Sequence, residues 1–230
     1  MTHIKNILRK VNFLGLHVYR VKGFRDEEKH EYQARFVKFN IKPGWKVLDI
    51  GSGGEPFPEA THCADLYPEE TQHRYNKLKT DGKIFVQADV QALPFKDKEF
   101  DFSYCSHVLE HIPDVAKACR EIVRVSRRGY IELPTRTSDI LSGFISKKDF
   151  HKWHVSMVGN SLIFMEYQDF ERKPIGPFEF YSMVHSAVPN KTREKFRTHR
   201  NLFSSMFLWE GKFDFYVFNK EGKLIASSAS

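Results

Sequence analysis

Residues 47–58 read VLDIGSGGEPFP, and this stretch decides the fold. Val47 to Ile50 is an apolar run carrying one acid, Asp49, as suits a strand buried on both faces. Gly51 and Gly53 then break it. A parallel strand that delivers its chain into a glycine turn marks the ligand-holding edge of an open α/β sheet, where ligands bind outside the carboxyl ends of the strands. The spacing excludes two common ligand loops. The dinucleotide fingerprint requires a third glycine where Pro56 stands, and no Gly-Lys-Ser/Thr follows to make a phosphate-binding P-loop.

Working outward, the chain alternates strands and helices. Upstream, residues 3–20 and 26–39 have helical patterning, and Lys42-Pro43-Gly44-Trp45 ends the second of these. Downstream, strands are expected at about 61–66, in KIFVQAD, in EFDFSYCS with Phe100, Phe102 and Tyr104 on one face, and in GYIELP. Helices are expected at 69–79 and from His107 to Val125. This alternation implies a parallel sheet wound on both faces. Beyond Pro134 the regularity fades. SLIFMEY reads as a strand and residues 177–198 as partly helical. MFLWEGKFDFYVF reads as a hairpin turning at Glu210-Gly211, with Phe207, Trp209, Phe213, Phe215 and Val217 on its buried side.

The composition excludes several classes. At 230 residues and 41% hydrophobic, the chain can bury one good-sized core, and no apolar run approaches a membrane span. Residues 1–43 read as an N-terminal helical segment. Residues 44–230 read as one domain with a substrate-side insertion at about 135–200. Cys63, Cys105 and Cys119 lack metal or CxxC spacing and cannot all pair, which fits a reducing, cytoplasmic home. A net charge of +7 makes acidic partners plausible.

Three acids end three successive strands. Asp49 stands beside the glycine turn, where it would attract an ammonium or sulfonium group. Asp65 is positioned for two ribose hydroxyls and Asp89 for an adenine amine. A cationic amino-acid tail, a ribose and an adenine together describe S-adenosylmethionine. The segments VLDIGSGG, ADLYP, FVQADVQALPFKDKEFDFSYCSHVLEHI and RGYIELP resemble the successive motifs of class I S-adenosylmethionine-dependent methyltransferases. Within that class they are most similar to the ubiquinone and menaquinone methyltransferase branch, over residues 44–134. The resemblance implies a Rossmann-like α/β fold: a seven-stranded, mostly parallel sheet with an antiparallel strand from the C-terminal hairpin and helices on both faces. It implies that Asp49, Gly51 and Gly53 hold the methionyl part, Asp65 and Leu66 the ribose, and Asp89 and Val90 the adenine. Ser106 and His107 would face the methyl group or the acceptor. One departure stands out: only GEPFPEATH separates the glycine turn from the second strand, too short and proline-rich for a full helix.

The histidines carry the remaining chemistry. HVLEH, His107 to His111, matches the HxxEH zinc-peptidase spacing, but no third ligand is identifiable and no metal is expected. FHKWHV falls where the family inserts substrate-contacting segments, so His111, His151, Trp153 and Tyr181 are substrate candidates. Trp153 as a plain core residue is an equal reading. His107 or His154 would serve as a base, or alignment of nucleophile, methyl and sulfur suffices without one. The basic run NKTREKFRTHR is a solvated helix face or a receptor for an anionic group. The expected function is methyl transfer to an oxygen or nitrogen of a small acceptor, free or lipid- or nucleotide-linked. Nucleic acid is disfavoured, since no Asn-Pro-Pro-Tyr-type motif follows the fourth strand. The alternative is a degenerate methyltransferase fold that binds without catalysis.

Overall fold

The computed structural model describes residues 29–69, 77–80, 82–143, 151–172, 178–184 and 190–229. The expected helix at 3–20 lies outside them, as does most of the one at 69–79. Its described end, 77–80, is not helical.

The expected parallel strands form: β1 (Val47–Ile50), β2 (His62–Asp65), β3 (Ile84–Gln87), β4 (Phe102–Ser106) and β5 (Arg128–Pro134). Every residue of β1 and β4 is buried, which is why their sequences show no clean alternation. Phe102 and Tyr104 belong to one apolar cluster and Phe100 to the other, so the three do not share a single face. The sheet order is β3-β2-β1-β4-β5-β8, where β8 (Ser204–Glu210) runs antiparallel to β5. The strand order reverses at β1, so the carboxyl ends of β1 and β4 open a crevice between them.

Two expectations are corrected. Among the described residues the large sheet has six strands rather than seven. Residues 204–218 are not a hairpin: β8 pairs with β5, whereas β9 (Asp214–Phe218) crosses to a second, four-stranded sheet of order β10-β9-β7-β6. Only the bridge between Glu210 and Lys212 joins the two strands, across Gly211 at φ +72°. The alternation correctly marked Phe207, Trp209, Phe213, Phe215 and Val217 as buried. A period of two says which face is covered, but not which strand is the neighbour.

The second sheet is built from β6 (Trp153–Val158), β7 (Ser161–Glu166), β9 and β10 (Leu224–Ser227). One apolar core joins it to the large sheet. Leu48, Ile50, Cys105 and Ile131 meet Leu162, Phe164, Phe215 and Val217, with Ile122 and Val125 of the intervening helix. That helix, α2 (Val115–Val125), follows α1 (Lys29–Phe36) in the chain. The helix expected from His107 onward is interrupted. Leu109–His111 form a 3-10 turn, Ile112 is extended at ψ 126° ahead of Pro113, and α2 begins after its cap. Proline disfavours the helical region for the residue before it. Asp114 then caps α2, accepting the Lys117 amide at 3.0 Å. Two further helices, α3 (Phe178–Val184) and α4 (Lys191–Thr198), fall in the partly helical 177–198 region.

No helix fills the first crossover. Phe57 takes over its packing: it is 2% exposed and stacks on Tyr104 at 4.4 Å and 4°. With Phe39 and Tyr130 it forms a second apolar cluster on that face. The three cysteines are buried and none is in a disulfide. Among the described residues, no helix is long and apolar enough to cross a membrane.

Candidate active site

A cavity of about 730 Å³ opens at the carboxyl ends of β1 to β4. Each strand end contributes to its wall: Gly51 and Gly53 after β1, Asp65 and Leu66 at β2, Asp89 and Val90 after β3, His107 after β4. The far side comes from the 3-10 turn through His111 and from the second sheet through Lys152 and Glu166. The size suits a nucleoside-sized ligand.

The glycine turn is held by backbone and carboxylate together. Gly51 adopts φ +70°, and a Cβ there would stand 2.3 Å from Val108 Cγ2, so the close strand-end packing requires glycine. Asp65 Oδ2 accepts the Gly53 amide at 3.0 Å and its Oδ1 accepts the Tyr67 amide at 2.9 Å. Asp65 thereby locks the loop. Asp89 Oδ1 accepts the Gln91 amide at 2.8 Å. Leu66 and Tyr67 are 39% and 53% exposed at the rim, apolar surface that a flat ring system would cover.

Two expected cofactor residues are not part of the wall. Asp49 is 2% exposed and accepts the Phe57 amide at 2.7 Å. Burial pushes its carboxyl up to about 7, against the pull of that amide and of Lys29. Asp49 thus anchors the shortened crossover instead of facing the ligand. Ser106 is also buried, beneath the cavity floor.

His107 is the central residue. It has a left-handed backbone, φ 58°, rare for a non-glycine, held by its amide donating to the Glu132 carbonyl at 2.9 Å. Its Nδ1 lies 3.3 Å from Glu110 Oε1 and its Nε2 3.4 Å from Glu132 Oε1. Burial opposes its charge, but the two carboxylates outweigh burial and hold the imidazolium up at about 9. Burial likewise opposes the charge on Glu110, yet the histidines around it bring its carboxyl down to about 2. Glu132 is held well below its ordinary range, burial again being overcome by His107 and two tyrosines. Tyr32 and Tyr130 donate to it at 2.5 Å each, and Gln33 Nε2 donates at 2.5 Å. Glu132 therefore tethers α1 to β5. Glu110 was the base of the HxxEH zinc-peptidase spacing, whereas Glu132 was not an expected site residue, although a charge inside the apolar run of GYIELP was a visible signal for it.

His107 also lines a second cavity of about 390 Å³. Its walls include Lys29, Tyr32, Phe196, Arg197 and Arg200 against one acid, Glu55, so α1, α4 and the 3-10 turn after it give it a net basic, aromatic character. The Arg200 guanidinium lies over the rings of Phe196 and Tyr32, at 4.7 and 5.1 Å.

The FHKWHV segment divides. Trp153 is 2% exposed and belongs to the main core, with Nε1 donating to the Ile112 carbonyl at 2.7 Å, so it does not line the cavity. His154 is buried against the Tyr167 ring at 5.0 Å, and burial lowers its pKa. It reaches neither cavity. His151 is buried behind His111, their rings 4.8 Å apart. Tyr181 lies on α3, partly exposed and outside both walls.

Residues 48–131 match the family model described as "Methyltransferase domain". Sterol 24-C-methyltransferase of Schizosaccharomyces pombe is 31% identical over 44% of this chain and 30% of its own length. An uncharacterized protein of Mycobacterium bovis is 38% identical over 39% of this chain and 36% of its own. The chain thus spans about a third of the length of these relatives. A solved complex between the Haloferax volcanii Trm112 methyltransferase activator and the putative methyltransferase covers 80% of this chain and 88% of that one, at 16% identity and a TM-score of 0.46. The domain type implies S-adenosylmethionine as cofactor, and the donor set fits it: acids at the ends of β2 and β3, a glycine turn at β1, and apolar surface between them. Residues 48–131, the stretch that carries the glycine turn and the strand-ending acids, are thus similar to a methyltransferase domain.

Proposed function

We propose that this protein transfers a methyl group from S-adenosylmethionine to an oxygen or nitrogen of a small anionic acceptor. The observation that carries this reading is that the nucleoside-sized cavity and the basic cavity meet at His107. The cofactor would be held by Gly51, Gly53, Asp65, Leu66, Asp89 and Val90, and the acceptor's anionic group by Lys29, Arg197 and Arg200. One relative is named for a sterol, whereas three cations against the single acid Glu55 around this small cavity favour a phosphate or carboxylate.

When bound, the cofactor supplies an activated methyl group on a sulfonium. The protein's own task is then to hold the acceptor in line and exclude water. His107 is poorly suited to act as a base, because both ring nitrogens face carboxylates. His154 lies behind the wall. Orientation is therefore the residues' main contribution, with His107 as the partition between the two ligands.

The test is calorimetric titration with S-adenosylhomocysteine, followed by a tritiated-methyl transfer assay against a library of phosphorylated and carboxylated acceptors. Asp65→Ala should weaken nucleoside binding at least tenfold. Arg200→Ala should raise acceptor KM with little change in S-adenosylhomocysteine affinity. If neither S-adenosylmethionine nor its product binds, the degenerate, non-catalytic fold is the better reading.

A further inference from the structure

Behind the cavity wall lies a cluster that methyl transfer does not need. Glu110 is 0% exposed, and its Oε2 has no hydrogen-bond partner among the described residues. Leaving a buried acceptor unsatisfied is costly, and more so for a charged group. His107 reaches the other oxygen, Oε1. One donor atom each from Glu110, His111 and His151 lies within 4.8 Å of the others.

The fold assembles this cluster deliberately. The Lys152 amide donates to the Glu110 carbonyl at 2.8 Å, and Trp153 Nε1 donates to the Ile112 carbonyl. These bonds clamp the start of β6 onto the 3-10 turn and bring His151 beside residues distant in sequence. His151 is oriented as well. Its Nδ1 lies 2.8 Å from Asp139 Oδ1, and Asp139 Oδ2 accepts the Tyr167 hydroxyl at 2.7 Å. A carboxylate oxygen accepts, so the contact is a donation from Nδ1, and Nε2 is the ring nitrogen that a metal would take. A carboxylate that fixes one histidine nitrogen while the other is left as ligand is the recurring outer-shell device of metal sites. A purely structural Tyr–Asp–His chain would account for His151, but not for the unpartnered Glu110 oxygen with two imidazoles beside it.

We infer that Glu110, His111 and His151 form a two-histidine, one-carboxylate site for a divalent transition-metal ion. Imidazole with carboxylate suits zinc, iron(II) or manganese better than the all-oxygen sets that calcium and magnesium prefer. His111 also lines the nucleoside-sized cavity, so open coordination positions would face that space and take an oxygen of the cofactor held there. This role rests on the methyl-transfer reading; the site itself does not.

The test uses the untagged full-length chain, stripped with EDTA and titrated with cobalt(II) as a spectroscopic probe and with zinc(II) by calorimetry. Wild type should bind one equivalent, with cobalt d–d bands that zinc abolishes. Glu110→Gln and His151→Ala should weaken binding at least a hundredfold. Asp139→Asn, altering a positioning residue, should weaken it about 10- to 100-fold and change the cobalt spectrum. Cooperative melting of each variant in EDTA checks that it is folded, and the wild-type titration needs no variant. The inference is overturned if wild type binds neither ion at micromolar concentrations, or if folded Glu110→Gln and His151→Ala bind as wild type does. Metal binding without S-adenosylhomocysteine binding would leave the site standing and remove the methyl-transfer reading. The converse result would do the reverse.

Discussion

Asp49→Asn should stabilise the protein at pH 8 by well over twice as much as at pH 5. Asp49 is buried within β1, its carboxylate accepting the Phe57 amide at 2.7 Å. Burial lifts its pKa from 3.8 to about 7. For an acid whose folded pKa is raised, the folded state keeps the proton where the unfolded state has lost it. Stability therefore falls as pH rises from about 4 to about 7, then levels off. At about 1.4 kcal/mol per pH unit, the burden at pH 8 is on the order of 4 kcal/mol. Asparagine retains an oxygen for the Phe57 amide and carries no charge, so the variant escapes this loss. Urea unfolding of both proteins at half-unit steps from pH 5 to pH 8 reads the difference, and every other titrating group cancels between them. A difference that stays flat across that range would refute the reasoning, since Asp49 would then titrate alike in both states.

Phe57→Ala should cost about 3–5 kcal/mol by urea unfolding, because this ring alone substitutes for a crossover helix against Tyr104. Gly51→Ala should lower S-adenosylhomocysteine affinity at least tenfold in calorimetry, as its methyl would displace Val108 from the cavity wall. Glu132→Ala should destabilise by about 3–5 kcal/mol, since it strips Tyr32, Tyr130, Gln33 and His107 of a shared buried acceptor. Limited proteolysis of that variant should release α1 earlier than in wild type.

The parts legible in the sequence were those governed by local pattern. The VLDIGSGG turn, the strand-ending Asp65 and Asp89, and the alternation of strands and helices all rest on neighbours in the chain, and the structure brings Gly51, Gly53, Asp65 and Asp89 to one rim. Asp49 was harder. It shares the strand-end signature of the other acids, yet a strand buried on both faces gave its carboxylate no solvent and no ligand to reach. Trp153 and His154 posed the same difficulty, because an aromatic beside histidines reads alike on a cavity wall and in a core. The HVLEH motif lacked a third ligand at any readable spacing, since His151 arrives through β6 docking on the 3-10 turn.

By itself, the sequence determined the parallel α/β frame and the acid-and-glycine rim at its switch point, because burial period and turn chemistry act over a few residues. Only the tertiary structure decided that β8 and β9 join different sheets, that Glu132 ties α1 to His107, and that two cavities share one histidine. Those outcomes depend on which distant surfaces exclude water from one another. A linear pattern states that a face must be buried, and packing alone selects its partner.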